Sequence, residues 1–478
     1  MKRIIASILL IAILATGMLA SLTSCGGGKK AGDFEMPDGG YDGSAVTIRF
    51  YHSMGAALQE VLNNAIAEFN KIYPNITIEH ESYGDYNGVR DQIKTEIAVG
   101  AQPHLAYCYP DHIALYNEAG AVQTMDVFIE SDIKVNGTDE ILGFTEAQLN
   151  DFIQGYYNEG KAFGDGKMYS LPISKSTEVL YYNKTVFEKL GLTPPTTWDE
   201  MEAVCKALKE YDPKCIPLGY DSESNWFITM CEQYGSPYTS ATGENFLFDN
   251  DVNRNFVKRF RTWYEKKWVT TEELSGGYTS ALFTGESSSS GDSKVEAGTR
   301  CYMCIGSTGG ASYQQPTMTN GKFEFEVGIT SIPQVDANNP KVISQGPSIC
   351  MFKQDNPQEV LATWLFAKFL TTNVEFQASM SMSNGYAPVI KSVKDNPIYA
   401  EFLASASTER IQAYAVKVAL DQENAYYVSP AFNGSSVARD QVGLLLQKCF
   451  TESASDVDAM IKKAFEDCIK ECKYQSGQ

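Results

Sequence analysis

A strand, an amphipathic helix and a second strand follow one another without interruption near the start of the chain. Residues 46–51 (VTIRFY) alternate as a half-buried strand does. The following residues, up to Pro74, carry apolar side chains at the spacing of one helix face: Leu58, Leu62, Ile66 and Phe69. Residues 76–79 form the second strand. Two strands joined through a helix run parallel and need helices on the faces of their sheet, so this opening predicts an α/β fold.

The same alternation continues along the chain. Residues 85–99 and 111–119 read as helices on either side of a strand at 105–109. The apolar, β-branched stretch 168–183 is long enough to pass from one α/β region into another. Later elements are predicted as helices at 184–191, 256–267 and 357–371, a helix capped by Thr196 and Thr197, and strands at 323–332 and 343–352. With 478 residues, the chain exceeds one typical domain, so two regions are expected.

The first residues have the pattern of an export signal. Lys2 and Arg3 precede an apolar run at 4–22, which ends in Leu-Thr-Ser-Cys25. That ending resembles a bacterial lipobox and predicts a signal peptide at 1–24 with a lipid on Cys25. An uncleaved anchor helix is the alternative, since the run is near the lower length limit for a bilayer span. The glycine-rich and charged residues 26–45 are predicted to form a flexible tether that reaches about 25 Å.

Composition excludes several classes of function. The 59 Asp and Glu residues outnumber the 39 Lys and Arg residues and give a formal net charge of −20, which disfavours binding to a nucleic-acid backbone. The chain contains no Walker A, GxSxG or HExxH motif, so it has no signature of an ATPase, a serine hydrolase or a zincin. No cofactor and no metal ligand set is predicted. The hydrophobic fraction of 43% is ample for a folded core.

The eleven cysteines do not form a recognisable disulfide framework. Cys301 and Cys304 lie in a strand-like run, where a spacing of three places them on opposite faces and argues against a metal or redox motif. Cys205 with Cys215, or Cys468 with Cys472, could close a bridge. The other interpretation is that these residues are small buried hydrophobes of a protein from a reducing habitat.

Several segments together resemble the extracellular solute-binding proteins of carbohydrate-type ABC importers, and most closely the sn-glycerol-3-phosphate-binding branch. A YYNK helix followed by a PxTWDE opening is the more specific part of the resemblance, and the HSM after the first strand points to the branch. The segments are FYHSM (50–54), FNKIYPNITIE (69–79), LPISKSTEVLYYNKTVFEKLGL (171–192), PPTTWDEM (194–201), FEVGITSIP (325–333) and NGYAPV (384–389).

The resemblance implies a two-lobed, type II binding-protein fold with a hinge of several chain crossings and a ligand cleft between the lobes. The expected boundaries are 46–174 with 331–372 for the first lobe and 175–330 with 373–478 for the second. Lobe closure around a ligand is a rotation about a few hinge residues. The resemblance further implies a monomer outside the cytoplasm, held to a bacterial membrane by its lipid. Its partners would be ABC permease subunits, and its ligand a sugar, an oligosaccharide or a polyol phosphate.

Some ligand contacts are expected in the first lobe and at the hinge. The family places a ligand-contacting tyrosine or acid in the loop of Asp85 and Tyr86, although a tyrosine there could also only pack. Ser176 and Thr177 match the first hinge crossing. Lys175 beside them replaces a small polar residue of the branch, and it could meet an anion or point outward. His52, in the HSM segment, could bind ligand or cap the neighbouring helix.

Other contacts are expected from the second lobe and the later crossings. Asn225 and Trp226 stand where the family has an aromatic platform, with burial in the core as the alternative for the tryptophan. Ser307, in a glycine-rich loop, could present its hydroxyl and backbone N–H groups to a hydroxyl or phosphate. Two further loops of the family match at Gly346 and Tyr386. Arg439 is the preferred phosphate partner, and an ion pair with a neighbouring acid such as Asp440 is its alternative role.

Two other functions compete with transport. A secreted glycoside hydrolase needs two carboxylates about 5–10 Å apart across the scissile bond, and acidic residues are plentiful, although no such pair stands out in the sequence. A polysaccharide-capturing surface lipoprotein would share the export signal and the cleft but lack a permease. The resemblance favours a non-catalytic binding protein over both.

Overall fold

A computed structural model describes residues 34–135, 139–285 and 294–478 of the chain. The predicted signal peptide, the lipid-bearing Cys25 and the first part of the tether lie outside the described residues. Residues 37–478 form one compact unit, and the account below concerns this unit.

The first stretch of the unit alternates strands and helices, as the sequence predicts. Its elements are β1 (Val46–His52), α1 (Ala56–Ile72), β2 (Ile76–Ser82), α2 (Tyr86–Ile97), β3 (Leu105–Cys108), α3 (Pro110–Glu118), β4 (Val122–Gln123), α4 (Asp126–Ile129), α5 (Glu146–Asp151), α6 (Gln154–Tyr157), a 3₁₀ turn (Asn158–Lys161) and β5 (Leu171–Pro172).

The second stretch builds a separate sheet with its own helices. Its elements are β6 (Glu178–Asn183), α7 (Lys184–Leu190), α8 (Trp198–Tyr211), β7 (Leu218–Tyr220), α9 (Glu223–Gln233), α10 (Asp251–Glu265), β8 (Val269–Thr271), α11 (Glu272–Ser275), α12 (Ser280–Thr284), β9 (Met303–Ser307), a 3₁₀ helix (Thr308–Gln314), β10 (Met318–Thr319), β11 (Lys322–Phe323) and β12 (Val327–Ser331).

The last stretch returns to the first sheet and then ends in helices. Its elements are β13 (Val342–Ile343), β14 (Ser348–Phe352), α13 (Pro357–Thr372), α14 (Val374–Asn384), a 3₁₀ turn (Lys391–Asp395), α15 (Pro397–Ala404), α16 (Ile411–Asp421), β15 (Tyr426–Tyr427), α17 (Ser435–Thr451) and α18 (Val457–Gln475).

Two mixed sheets define two lobes. The first sheet has the strand order β2-β1-β3-β14-β4, with β5 also on β14, and β14 runs antiparallel to its neighbours. The second has the order β12-β6-β9-β7-β8, in which β9, β7 and β8 are parallel. A short parallel pair, β13 with β15, stands apart from both sheets. The predicted α/β, two-lobed fold is thereby confirmed.

Local signals explain several element boundaries. Helix α8 begins at the predicted threonine cap, where Thr197 Oγ1 accepts the Glu200 N–H at 3.2 Å and Glu200 reaches back to the Thr197 N–H at 3.2 Å. The strand predicted over 343–352 is divided in two, because residues 344–347 cross between the lobes. Helix α14 packs against α1 and α13 and also against α15 and α16, so it contacts helices on both sides of the predicted boundary at residue 373.

The second half of the predicted tether is folded onto the first lobe. Tyr41 is 6% exposed and lies edge-on to Tyr73 at a ring distance of 6.5 Å. The Gln358 side chain accepts the Asp42 N–H at 2.9 Å and donates to the Gly40 carbonyl at 3.3 Å. The prediction of a free tether up to residue 45 is therefore wrong for residues 40–45, because a buried tyrosine and backbone hydrogen bonds fix them.

Ten of the eleven cysteines lie in the described part of the chain. All ten described cysteines are buried and unbridged, which agrees with their interpretation as small hydrophobes. One core cluster lies in the second lobe and includes Trp198, Trp226 and Trp263. In the described ranges, no helix is long and apolar enough to cross a membrane.

Candidate functional site

Three chain segments cross between the lobes and pair with one another. The Ser176 N–H donates to the Gln345 carbonyl at 2.7 Å, and the Gln345 N–H donates back at 3.0 Å. On the other side, the Ala387 N–H donates to the Lys175 carbonyl at 2.6 Å, and the Lys175 N–H returns a bond at 3.2 Å. This three-stranded ribbon, called the hinge below, connects the two sheets through residues 173–177, 344–347 and 386–387.

A buried ion pair holds the hinge together. Lys175 Nζ lies 2.9 and 2.8 Å from the two carboxylate oxygens of Glu159 and also donates to the Gly346 carbonyl and to Ser348 Oγ, both at 3.0 Å. The Lys175 side chain is fully buried. Both roles that the sequence suggested for Lys175, meeting an anionic ligand or pointing outward, are therefore wrong.

Three predicted ligand contacts belong to this hinge instead of the cleft surface. Gly346 has φ +96°, and a Cβ there would stand 2.6 Å from the Ser174 carbonyl oxygen. Ser176 and Thr177 are buried, and Thr177 Oγ1 donates to the Ile343 carbonyl at 2.7 Å. Their predicted role is corrected accordingly, because their polar groups are used by the crossings.

A first cavity of about 490 Å³ lies between the lobes. The first lobe contributes the loop and start of α2 and the start of α3, and the second contributes residues 427–440 with Tyr238. Helices α3 and α17 approach each other across this cavity. Its polar lining includes Asp85, Arg90, Asp111, Arg439 and Asp440. Asp85 caps α2 by accepting the Gly88 N–H at 2.7 Å, so the cap also sets the position of the following Tyr86.

Tyrosine rings form the wall of the first cavity. The rings of Tyr86 and Tyr109 lie 4.7 Å apart. Burial, with Tyr109 and Tyr386 nearby, raises the pKa of Tyr86 well above its ordinary value. These phenols therefore stay neutral and serve as hydrogen-bonding groups and flat apolar faces.

A second cavity of about 1080 Å³ opens on the side of the second sheet. It is lined by Glu178, Asp221, Glu272 and Tyr278, by the glycine-rich loop after β9, and by Tyr386. Ser307 caps that loop, accepting the Gly309 N–H at 3.1 Å. A Cβ at Gly309 would lie 2.5 Å from the Tyr386 ring, so the glycine allows the ring to rest on the loop.

Gln345 and Arg439 line both cavities and belong to one buried network. The Arg439 guanidinium donates to Asn225 Oδ1. Asn225 Nδ2 donates to Glu178 Oε1 at 2.7 Å and to Gln345 Oε1 at 3.1 Å. The Tyr220 hydroxyl donates to the other Glu178 oxygen at 2.6 Å. Burial raises the pKa of Glu178 to about 7, against the smaller opposing effect of these hydrogen bonds.

Six of the eleven predicted contact residues line the two cavities. They are Asp85, Tyr86, Asn225, Ser307, Tyr386 and Arg439. Asp440 lies on the wall of the first cavity beside Arg439, and burial with the nearby Asp111 raises its pKa. Whether these six touch a ligand remains a prediction.

Trp226 does not face the cleft. It is fully buried, with its ring 5.0 Å from that of Tyr220 and 4.4 Å from that of Phe260. Asn225 immediately before it reaches the cleft, and because successive residues of a helix point about 100° apart, the tryptophan turns into the core. The predicted aromatic platform at Trp226 is therefore wrong, and its alternative, burial, is what the structure has.

His52 also belongs to the fold. The side chain is buried, its Nδ1 accepts the Met54 N–H at 3.1 Å, and its Nε2 lies 2.9 Å from Nδ1 of His80. Neither suggested role, ligand contact or capping of the neighbouring helix, is observed: His52 lines neither cavity described above, and α1 begins after Gly55 with no side-chain cap hydrogen bond.

Several cleft residues were missed from the sequence. Tyr109 and Asp221 directly follow β3 and β7, and the carboxyl ends of parallel strands are where ligands of open α/β sheets bind. This rule could have identified both. Glu272 directly follows the parallel strand β8 and obeys the same rule, whereas Tyr278, Gln345 and Tyr427 carry no comparable signal, because they reach the cleft from loops and short strands.

Comparison with known proteins agrees with this geometry. The sequence profile described as bacterial extracellular solute-binding protein matches residues 64–404. The sn-glycerol-3-phosphate-binding periplasmic protein UgpB of Escherichia coli strain K12 is 26% identical over 361 residues, 74% of this chain and 76% of that protein.

Two solved structures have a similar fold. UgpB from Mycobacterium tuberculosis, in complex with glycerophosphocholine, superposes with a TM-score of 0.67 at 17% identity and covers 90% of this chain and 100% of its own. The sugar-binding protein MalE of Xanthomonas citri superposes with a TM-score of 0.69 at 17% identity and covers 90% of this chain and 98% of its own. These likenesses concern the two-lobed architecture.

Proposed function

Because the chain belongs to the bacterial extracellular solute-binding protein family, we propose that it captures a sugar or glycerol-phosphate-like solute by lobe closure and delivers it to an ABC permease. The observation that carries the proposal is the first cavity, which residues of both lobes line and which meets the second cavity at Gln345 and Arg439. A ligand in this position touches both lobes at once and so favours the closed state over the open one.

The chemistry of the lining supports a ligand rich in hydroxyl groups. Tyr86, Tyr109 and Tyr386 offer flat faces for C–H surfaces, and the surrounding amides, hydroxyls and carboxylates can replace water on ligand hydroxyls. Carboxylates in the lining outnumber the two arginines, Arg90 and Arg439. A ligand made only of phosphate would be repelled there, whereas a single phosphate on a polyol could bind Arg439.

The predictions on export, membrane attachment and catalysis form part of the same proposal. A signal peptide at 1–24 and a lipid on Cys25 would hold a monomer outside the cytoplasm beside its permease. The folded residues from about 40 onward leave a shorter tether than the sequence suggests, so the domain would stay closer to the membrane. Binding without catalysis is proposed, since the relatives reported above are named for the solutes they bind.

Thermal unfolding in the presence of solutes tests the proposal. With maltose, maltotriose, glycerol 3-phosphate and glycerophosphocholine as the panel, at least one solute should raise Tm, and the rise should grow with its concentration. Tyr386→Ala should abolish that rise, because it removes a ring that lines the second cavity and lies near Tyr86 of the first. Tyr474→Ala, which removes a tyrosine that is 82% exposed at the end of the chain, is the matched control and should leave the rise intact.

The outcome that would contradict the proposal is a Tm that no member of the panel moves. The enzyme alternative is tested on the same complex: mass spectrometry of the solute after prolonged incubation should return it unchanged. Accumulation of a cleavage product would instead favour a glycoside hydrolase.

A further inference from the structure

Three carboxylates line one side of the second cavity. Glu178 lies at the start of β6, Asp221 follows β7, and Glu272 begins the short α11. Asp221 is held by Thr279, whose backbone N–H and hydroxyl donate to Oδ1 at 2.8 and 2.7 Å. We propose that this cavity takes a cationic group of the ligand, an ammonium attached to a hydroxyl-rich solute. This inference rests on the proposed function and narrows its substrate class.

These three acids outnumber the cationic side chains in the described lining of the cavity. In residues 34–135, 139–285 and 294–478, no Lys, Arg or His forms an ion pair with Glu178, Asp221 or Glu272. Residues 286–293 read ESSSSGDS and contain no cationic side chain. Arg439 is the one arginine in the described lining of this cavity; it donates to the neutral Asn225 amide, and its single charge near Glu178 leaves the three acids in excess. A positive charge on the ligand would supply the missing partner.

The acids also repel one another. Burial, followed by the charges of Asp221, Glu223 and Glu273, raises the pKa of Glu272 to about 7. Burial likewise raises the pKa of Asp221. A cation bound among them would relieve both the loss of hydration and the mutual repulsion, so its binding would be stronger than at an isolated surface carboxylate.

An independent observation points to a ligand in the same place. Gln314 is 2% exposed, and its amide nitrogen donates to Cys304 Sγ at 3.3 Å. Its amide oxygen has no hydrogen-bond partner in the described chain, although Gln314 lines the second cavity. A buried acceptor without a donor is costly, and a ligand N–H or O–H is what would satisfy it.

Aromatic rings surround the acids on the open side. Tyr278 and Tyr313 line the cavity while being 66% and 75% exposed, and Tyr386 closes its inner end. Faces of aromatic rings attract ammonium groups, and the attraction adds to that of nearby carboxylates. Exposed tyrosines at the mouth of an acidic cavity therefore fit a cationic ligand better than a neutral one.

Matched solute pairs separate charge from shape. Isothermal titration at pH 7 compares glucose with glucosamine, and the 3,3-dimethylbutyl ester of glycerol 3-phosphate with glycerophosphocholine, because the second member of each pair replaces a neutral group of similar size by an ammonium. We expect the ammonium member of at least one pair to bind about tenfold tighter or more, the magnitude of one charge-assisted contact. The first pair reports on a primary ammonium and the second on a quaternary one.

Substitutions in the second cavity test whether this cavity causes the preference for the ammonium member of each pair. Glu272→Gln and Tyr278→Ala should each reduce the preference for the ammonium member, Glu272→Gln by about tenfold. Glu273→Gln is the matched control, since it removes the same charge from the adjacent, exposed position outside the cavity. It should change the preference less than about twofold, which separates a local contact from the general effect of net charge.

The outcomes distinguish the inference from the function on which it rests. If neutral members bind as tightly as their ammonium partners, or if Glu273→Gln acts like Glu272→Gln, the cationic subsite is overturned and the proposed function stands. If none of the four solutes binds, and the maltose series also leaves Tm unchanged, both are overturned.

Discussion

The hinge and the cleft wall each contain a buried carboxylate, and the two carboxylates have different partners. Glu159 of the hinge is 3% exposed and is paired with Lys175 at 2.8 Å. Glu178 of the cleft wall is 2% exposed, but its partners are the Tyr220 phenol and the Asn225 amide. Glu159 reaches the edge of the first cavity, yet its charge is already balanced within the protein.

The comparison distinguishes a carboxylate whose charge stabilises the fold, Glu159, from one that is available to a ligand, Glu178. The Lys175 ammonium balances the Glu159 carboxylate and ties its own crossing to the crossing at Gly346. At Glu178, burial without a lysine raises the pKa to about 7, so the group can change its protonation state when a ligand arrives. Charge balance, rather than burial alone, identifies which acids belong to the binding surface.

The largest effect is expected from breaking the hinge pair. Lys175→Met leaves Glu159 buried without a cation, and we expect the free energy of unfolding to fall by about 3–5 kcal/mol. Urea denaturation measures this change. The double variant Lys175→Met with Glu159→Gln should recover a large part of the loss, since it removes the uncompensated charge. A loss below about 1 kcal/mol in the single variant would mean that the pair does not hold the hinge.

Glu178 in the cleft wall should instead make the free energy of unfolding depend on pH. The pKa of Glu178 is raised to about 7 in the folded protein from 4.5, so its stabilising contribution is present below pH 4.5 and is lost as pH rises through 7. In Glu178→Gln this titration is absent. The free energy of unfolding of the wild type, relative to the variant, should therefore fall by up to about 3 kcal/mol between pH 4.5 and 8.

Chemical denaturation of both proteins across that range measures the difference. Other titrating groups, including the His52 and His80 pair, are shared by the two proteins and cancel in the comparison. A difference that is independent of pH would show that Glu178 is ionised throughout and that the cleft wall resembles the hinge after all.

The smallest effect is expected for two glycines, one in each region. Gly346→Ala places a Cβ against the Ser174 carbonyl at a φ of +96°, so we expect a loss of about 1–3 kcal/mol in unfolding free energy. Gly310→Ala in the cleft loop meets nothing within 4 Å and should cost less than about 1 kcal/mol. Equal losses in the two variants, measured by thermal or urea unfolding, would argue that the hinge is no more constrained than the cleft.

The local elements were largely predictable from the sequence. The first strand–helix–strand unit and the capped helix α8 are where periodicity and capping place them. These features depend on residues close in sequence, so a local pattern contains the needed information. The free tether failed as a prediction because Tyr41 is buried against Tyr73, a contact that the glycine-rich composition around it conceals.

The site was predictable only in part. Tyr386 and Arg439 were found through family-like segments, whereas Trp226 was placed in the cleft although its neighbour Asn225 is the residue that lies there. An offset of one residue on a helix exchanges the core face for the cleft face, and sequence resemblance does not resolve such an offset. Tyr278 and Gln345 could not be found, because neither directly follows a strand of the two sheets or stands in a motif.

By itself, the sequence determined the export pattern, the acidic balance, the α/β alternation and the family resemblance, since each is a property of composition or of neighbouring residues. Only the tertiary structure decided which side chains face the cleft and which charges stay unbalanced there. Glu178, Asn225, Gln345 and Arg439 form one network although they come from distant parts of the chain. Their meeting depends on how three crossings bring two lobes together, and that long-range arrangement leaves no periodic signal in the sequence.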